Sequence, residues 1–212
     1  MMDTERTSKI QVTAAKIITW IFHPLLVPMY GLLIIFSAPT LFLYLPAKVK
    51  TILLLVFLIN NVLIPLSLTP FLKYRHYISS WTIEKRNERI LPLVSLMILY
   101  SITALIMARL PIPLFVKSYF FSLTFLVLIV IGVNFWSRIS LHSIGAGALT
   151  GLIGTLSAQM SVPLPGLLIA SVITGGLILA SRLKLNVHNP FQVYSGFLTG
   201  LAEMSIFMLF FQ

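Results

Sequence analysis

The chain has no cysteine and very little charge: Asp, Glu, Lys and Arg together make up 9% of its 212 residues, and only five of those are acidic. The missing thiols rule out disulfides and leave the redox compartment unmarked. A soluble domain of this length carries roughly a quarter charged residues, so the composition excludes an ordinary soluble globular class. No long basic face lies outside the apolar runs, which argues against nucleic acid as a partner. No internal repeat is evident of the kind that builds many transporters.

What the chain has instead is apolar length. It is 58% hydrophobic, its mean hydropathy is +0.99, and runs of about twenty apolar residues, enough to cross a bilayer, recur from end to end. The fold class that follows is all-α, a polytopic transmembrane helical bundle of about six to seven spans, with residues 1–212 as a single transmembrane domain. The polar start, Met1 to Gln11 with Arg6 and Lys9, followed by Lys16, looks like the basic region of a signal peptide. The apolar stretch behind it is too long and lacks a small-residue cleavage site, so an uncleaved first helix is expected. The spans are placed at about 15–37, 51–68, 90–108, 114–135, 141–159, 166–180 and 191–211. His23-Pro24 and Pro28 should kink the first.

Seven crossings sort the loops by side. Polar segments near 69–90, 136–141 and 181–190 share the side of the N-terminus, and the other loops share the side of the C-terminus. The first side holds eleven of the fifteen basic residues, which assigns it to the cytoplasm by the positive-inside rule. The net charge of +10 has this bias as one source, and a site for an anionic substrate is a second.

The polar stretch from Ser181 to Gln192 concentrates the chemistry. Arg182 can hold phosphate in a bidentate fork, and His188 follows it by six residues. His142 opens the span at 141–159, where the positive end of the helix dipole favours neutral imidazole, a nucleophile or a base. Lys85 and Arg89 stand four apart, on one face of a helix, although, interleaved with Glu84 and Glu88, they equally make an ordinary charged loop. Phosphoryl transfer needs positive charge around the non-bridging oxygens and an in-line nucleophile, and these residue types supply both. Among the remaining polar groups, His23 reads as bonding a carbonyl freed at the kink, and Asn60 and Asn61 as interhelical glue. Glu203 lies some fifteen residues beyond His188, roughly 22 Å along a helix, and reads as a paired or snorkelling carboxylate. Gly147 with Gly151, and Gly196 with Gly200, form small-residue faces that would pack two helices closely and bring His142 and His188 together. Trp20, Trp81 and Trp136 read as interface anchors.

Ser181-Arg182, five residues and then His188 resembles the third motif of the type 2 phosphatidic acid phosphatases, a membrane branch related to the vanadium haloperoxidases. The family's aspartate position holds Gln192. Ser140-Leu141-His142 resembles the second motif, with Ile139 and Leu141 in place of its proline and glycine. Lys85, Arg89 and Pro92 loosely match the first. The resemblance covers about residues 85–200. It implies a metal-independent phosphatase, needing no cofactor, that acts on lipid or polyprenyl phosphates. By that analogy His188 attacks phosphorus and forms a phosphohistidine, while His142 protonates the leaving alkoxide and later activates water. Arg182, with Lys85 or Arg89, binds phosphate oxygens, and Ser140 donates a hydrogen bond. Gln192 stands where the family orients its nucleophile, accepting a hydrogen bond without supplying charge.

Two other classes stay open on the sequence. One is a non-catalytic relative that binds a lipid phosphate or a partner membrane protein. The other is a small transporter built on His23, Asn60, Asn61 and Glu203.

Overall fold

The computed structural model describes residues 2–79 and 86–211, with side chains from residue 9 onward. Its helices are α1 (Met2–Ile21), α2 (Val27–Ser37), α3 (Ala47–Phe57), α4 (Ile64–Tyr74), α5 (Ile90–Arg109), α6 (Leu114–Asn134), α7 (Leu141–Gln159), α8 (Pro165–Lys184) and α9 (Pro190–Phe210). A π-helical turn, Leu58–Leu63, joins α3 to α4, so that Ala47–Tyr74 forms one continuous rod. There is no strand among the described residues. Among the described residues, six helical stretches are long and apolar enough to cross a membrane: Ala47–Tyr74, Asn87–Arg109, Leu114–Asn134, Leu141–Gln159, Pro165–Lys184 and Pro190–Phe210. The chain is an all-α, multi-pass integral membrane protein.

Proline sets many of the boundaries. Pro46 and Pro113 immediately precede α3 and α6, while Pro165 and Pro190 open α8 and α9. At those positions the missing N–H has no intrahelical partner to lose. The first apolar stretch is broken and not merely kinked. Helix α1 stops at Ile21, Pro24 cannot donate to continue the ladder, and α2 begins afresh at Val27. Pro65 sits just past the π turn, where Ile64 N–H reaches back to the Ile59 carbonyl; the wider turn carries the helix through to Tyr74.

The chain divides into two compact units, Met1–Gly31 with Ile139–Ser205, and Leu32–Arg138 with Ile206–Gln212. In the first, α1 and α7 both pack along α8, and α7 lies against α9 through glycine. A Cβ on Gly147 would run into the Phe197 carbonyl, one on Gly200 into the Ile144 carbonyl, and one on Gly151 would lie 2.8 Å from the Leu201 oxygen. Backbone meeting backbone is the way helices associate where lipid removes the hydrophobic drive.

The second unit is aromatic. Phe57 packs on Tyr100 and Phe120 at ring-centroid distances of 6.1 and 5.8 Å, with Tyr119 and Phe120 almost wholly buried. Beside them Asn60 Nδ2 donates to the Leu99 carbonyl at 3.0 Å and to Thr103 Oγ1, and Asn61 Nδ2 donates to the same hydroxyl at 2.8 Å. The asparagine pair is interhelical glue, as its place in the sequence suggested. Lys50 Nζ donates to the carbonyls of Phe36 and Leu43, at 3.0 and 2.6 Å, closing the end of α2.

Candidate functional site

The candidate site lies at one end of the first unit, where α1 and α8 finish and α7 and α9 begin. Each terminus is fixed by its own sequence. Helix α8 ends at Lys184, and Asn186 takes the left-handed conformation with φ 53°, which asparagine tolerates better than most residues. That turn brings the chain round to His188. Asn189 Oδ1 then accepts the Gln192 N–H at 2.9 Å, while Gln192 Oε1 accepts the Asn189 N–H at 3.4 Å. This is a capping box with Pro190 at the first helical position.

Gln192 has a second task. His188 Nδ1 stands 3.0 Å from Gln192 Oε1. The amide oxygen is identified by the backbone N–H that it also accepts, and an oxygen cannot donate. Nδ1 therefore carries the ring proton, and Nε2 of His188 keeps its lone pair.

His142 is held by the same logic with the nitrogens exchanged. Its Nε2 lies 3.2 Å from the Thr19 carbonyl, which can only accept, so Nε2 carries the proton and Nδ1 the lone pair. Arg182, in the last turn of α8, lies within electrostatic reach of His142, as do His23 and His188. The unit thus gathers Arg182 and three of the chain's four histidines; the fourth, His76, follows α4 in the other unit.

His23 is the group that the sequence placed least well. It does not bond a freed carbonyl. Its Nδ1 accepts the Leu25 N–H at 3.3 Å, and its own carbonyl accepts from Leu26 and Val27 at 2.8 and 3.2 Å. Side chain and backbone together cap the start of α2. The ring also meets His142 edge to face, with centroids 6.0 Å apart and planes at 80°. The residue is exposed, yet the atoms packed around it desolvate the charged form. That desolvation, with Arg182 adding to it, holds His23 below the ordinary imidazole value of 6.5, so the neutral ring dominates at pH 7.

Ser140 is a joint between helices. It is fully buried. Its Oγ accepts the Ser143 N–H at 3.4 Å and the Ser143 hydroxyl at 3.0 Å, capping α7. Its own N–H donates to the Gln192 carbonyl at 3.2 Å, tying the starts of α7 and α9 together. Ser181 is buried, its hydroxyl donating to Leu177 of its own helix at 2.7 Å.

Two further basic residues were expected to complete a phosphate site, Arg89 and Lys85. Arg89 belongs to the second unit, where it lies within electrostatic reach of Arg138. Lys85, with Glu84 and Trp81, falls outside the described residues. Glu88, also in the second unit, accepts from the N–H and hydroxyl of Ser79 at 2.7 and 2.9 Å. Thr19 and Asn189 were missed by sequence reasoning. Thr19 contributes through its carbonyl and leaves no side-chain signal, whereas the Asn-Pro-Phe-Gln order of a capping box was there to be read.

Comparison with family models, with curated proteins and with solved structures finds no match.

Proposed function

We propose that this protein is a membrane phosphatase of the phosphatidic acid phosphatase type, hydrolysing a lipid or polyprenyl phosphate through a phosphohistidine on His188. The observation that carries the reading is the His188 Nδ1–Gln192 Oε1 contact of 3.0 Å, which leaves Nε2 as the unprotonated nitrogen. In the first step Nε2 attacks phosphorus and the P–O bond to the lipid breaks. The alkoxide leaves with a proton from His142, which must first take one up at Nδ1. In the second step water attacks the phosphohistidine, giving its proton to Nδ1 of His142, and inorganic phosphate departs. Arg182 offsets the charge on the non-bridging oxygens throughout.

One feature favours a slower or purely binding relative. Gln192 supplies no charge to stabilise a cationic His188, and its oxygen is shared with the helix cap. Neutralising the orienting aspartate of a serine protease costs about 10⁴ in rate. Phosphate release from purified protein, given phosphatidate or a polyprenyl phosphate, separates the two readings. The enzyme predicts turnover that His188→Ala lowers on the order of 10⁴-fold. Equal rates in both proteins would leave only the binding reading.

A further inference from the structure

We infer that His23 is a substrate-binding residue of this site, donating a hydrogen bond from Nε2 to an oxygen of the phosphoryl group. The inference rests on the phosphate reading of the site, and it concerns a residue outside the three motifs on which the resemblance stands.

Four observations carry it. His23 lies in the break between α1 and α2, so its ring hangs on a cap and not on a helix face. Its Nδ1 accepts the Leu25 N–H at 3.3 Å, and the neutral ring must therefore carry its proton on Nε2. The ring stands edge to face with His142 at 6.0 Å between centroids, within the electrostatic reach of Arg182. It is also the most open of the three residues: His23 is exposed, whereas His142 and His188 are half-buried.

The arrangement divides the labour among the imidazoles. His188 presents a lone pair at Nε2, which suits attack. His142 presents one at Nδ1, which suits proton uptake. Neither offers a ring N–H that is not already given to a partner in the protein, since both protons go to oxygens, of Gln192 and Thr19. His23 has its proton on the nitrogen opposite its cap, and a phosphoryl oxygen is an acceptor for it. A neutral donor next to Arg182 adds a hydrogen bond without adding repulsion, which a second cation there would bring. The ligand class is a phosphomonoester on an amphiphile, or free phosphate as the product. Both present the same oxygens.

The competing explanation is that His23 only caps α2, and asparagine separates the two roles. His23→Asn keeps a short side-chain acceptor for the Leu25 N–H but has no donor at the distance of Nε2. His23→Ala removes both. The test is binding of decyl phosphate and of inorganic phosphate, by calorimetry in detergent, to wild type, His23→Asn and His188→Ala, with thermal melting of each. Decyl alcohol reports apolar contacts alone.

The expected result is that His23→Asn melts with wild type but binds both phosphates about tenfold more weakly, the worth of one hydrogen bond to a charged group, with decyl alcohol unaffected. Unchanged phosphate affinity in His23→Asn would overturn the inference, as would a loss confined to the alkyl chain or a wild type that binds neither phosphate. If wild type binds phosphate and His23→Asn does not, yet no variant turns over, the enzyme reading fails and the role of His23 stands. Should His23→Asn fail to fold, nitrogen NMR of ¹⁵N-histidine wild type decides. A protonated Nε2 of His23 that shifts on adding decyl phosphate supports the contact, and an unmoved signal refutes it.

Discussion

Each unit of the chain holds a polar cluster, and the two are built to opposite ends. In the second unit Asn60 and Asn61 converge on one hydroxyl, Thr103, which passes its own proton to the Leu99 carbonyl at 3.0 Å. Asn61 and Thr103 are completely buried. The cluster ties one helix to another at mid-length. In the first unit the polar groups stand at helix ends. There Gln192 holds a ring nitrogen of His188, Thr19 one of His142 and Leu25 one of His23, within electrostatic reach of Arg182. The glue spends its donors on bonds between helices, with Asn61 Oδ1 left buried and without a partner, whereas at the helix ends the bonds fix the orientation and tautomer of ionisable rings.

The comparison is broken most severely at the glycines. Gly147→Ala and Gly200→Ala each put a Cβ onto a carbonyl of the facing helix, and that helix cannot yield as a flexible side chain would. Each is expected to cost about 1–3 kcal/mol and to part the starts of α7 and α9, lowering phosphate turnover together with thermal stability in detergent. Gly154→Ala and Gly176→Ala, where an added Cβ meets nothing within 4 Å, should leave both unchanged.

A smaller effect sharpens the role of Gln192. Gln192→Glu keeps the length needed for the capping box and adds the charge that a cationic His188 would use. Turnover should rise about tenfold, in line with a hydrogen bond becoming charge-assisted. Gln192→Ala should lower it by a similar factor, with KM little changed because the residue acts through His188. Smaller again is the response of the glue. Asn61→Leu removes one hydrogen bond to Thr103 and should change stability by only about 0.6 kcal/mol, with no effect on phosphate turnover.

The smallest effect is a pH dependence. His23 has a folded-state pKa below its ordinary 6.5, from desolvation and then from Arg182. Its contribution to stability is therefore complete above the unfolded value and is lost as pH falls through the folded one. Melting followed from pH 7 to pH 5 should show a steeper decline for wild type than for His23→Asn. His142 and Arg182 face His23, so the difference between the two proteins reports the His23 ring together with its coupling to those groups.

The sequence was a good guide to the membrane and a partial guide to the site. Spans such as Leu141–Gln159 were legible because apolar runs and prolines bound them, and Gly147, Gly151, Gly196 and Gly200 marked the helix faces that meet. The span expected at 166–180 runs on to Lys184 beyond its apolar limit, because polarity at a membrane boundary does not stop a helix. His188, Arg182 and His142 drew notice as rare ionisable groups in an apolar chain. The part played by α1 was invisible. The Thr19 carbonyl is a backbone group, and His23 beside Pro24 signals a break without saying what the freed ring will face. Only the packing of α1 on α8 brings the two to His142.

The central claim is that His188 is a nucleophile held ready by Gln192. It is tested most directly by quenching the purified protein on a ³²P-labelled lipid phosphate with alkaline detergent and locating the label. The account predicts a phosphohistidine, stable to base and labile to acid, on His188, absent in His188→Ala and retained in His142→Ala, where the water step is slowed. Turnover with no labelled histidine, or label that survives in His188→Ala, would contradict it.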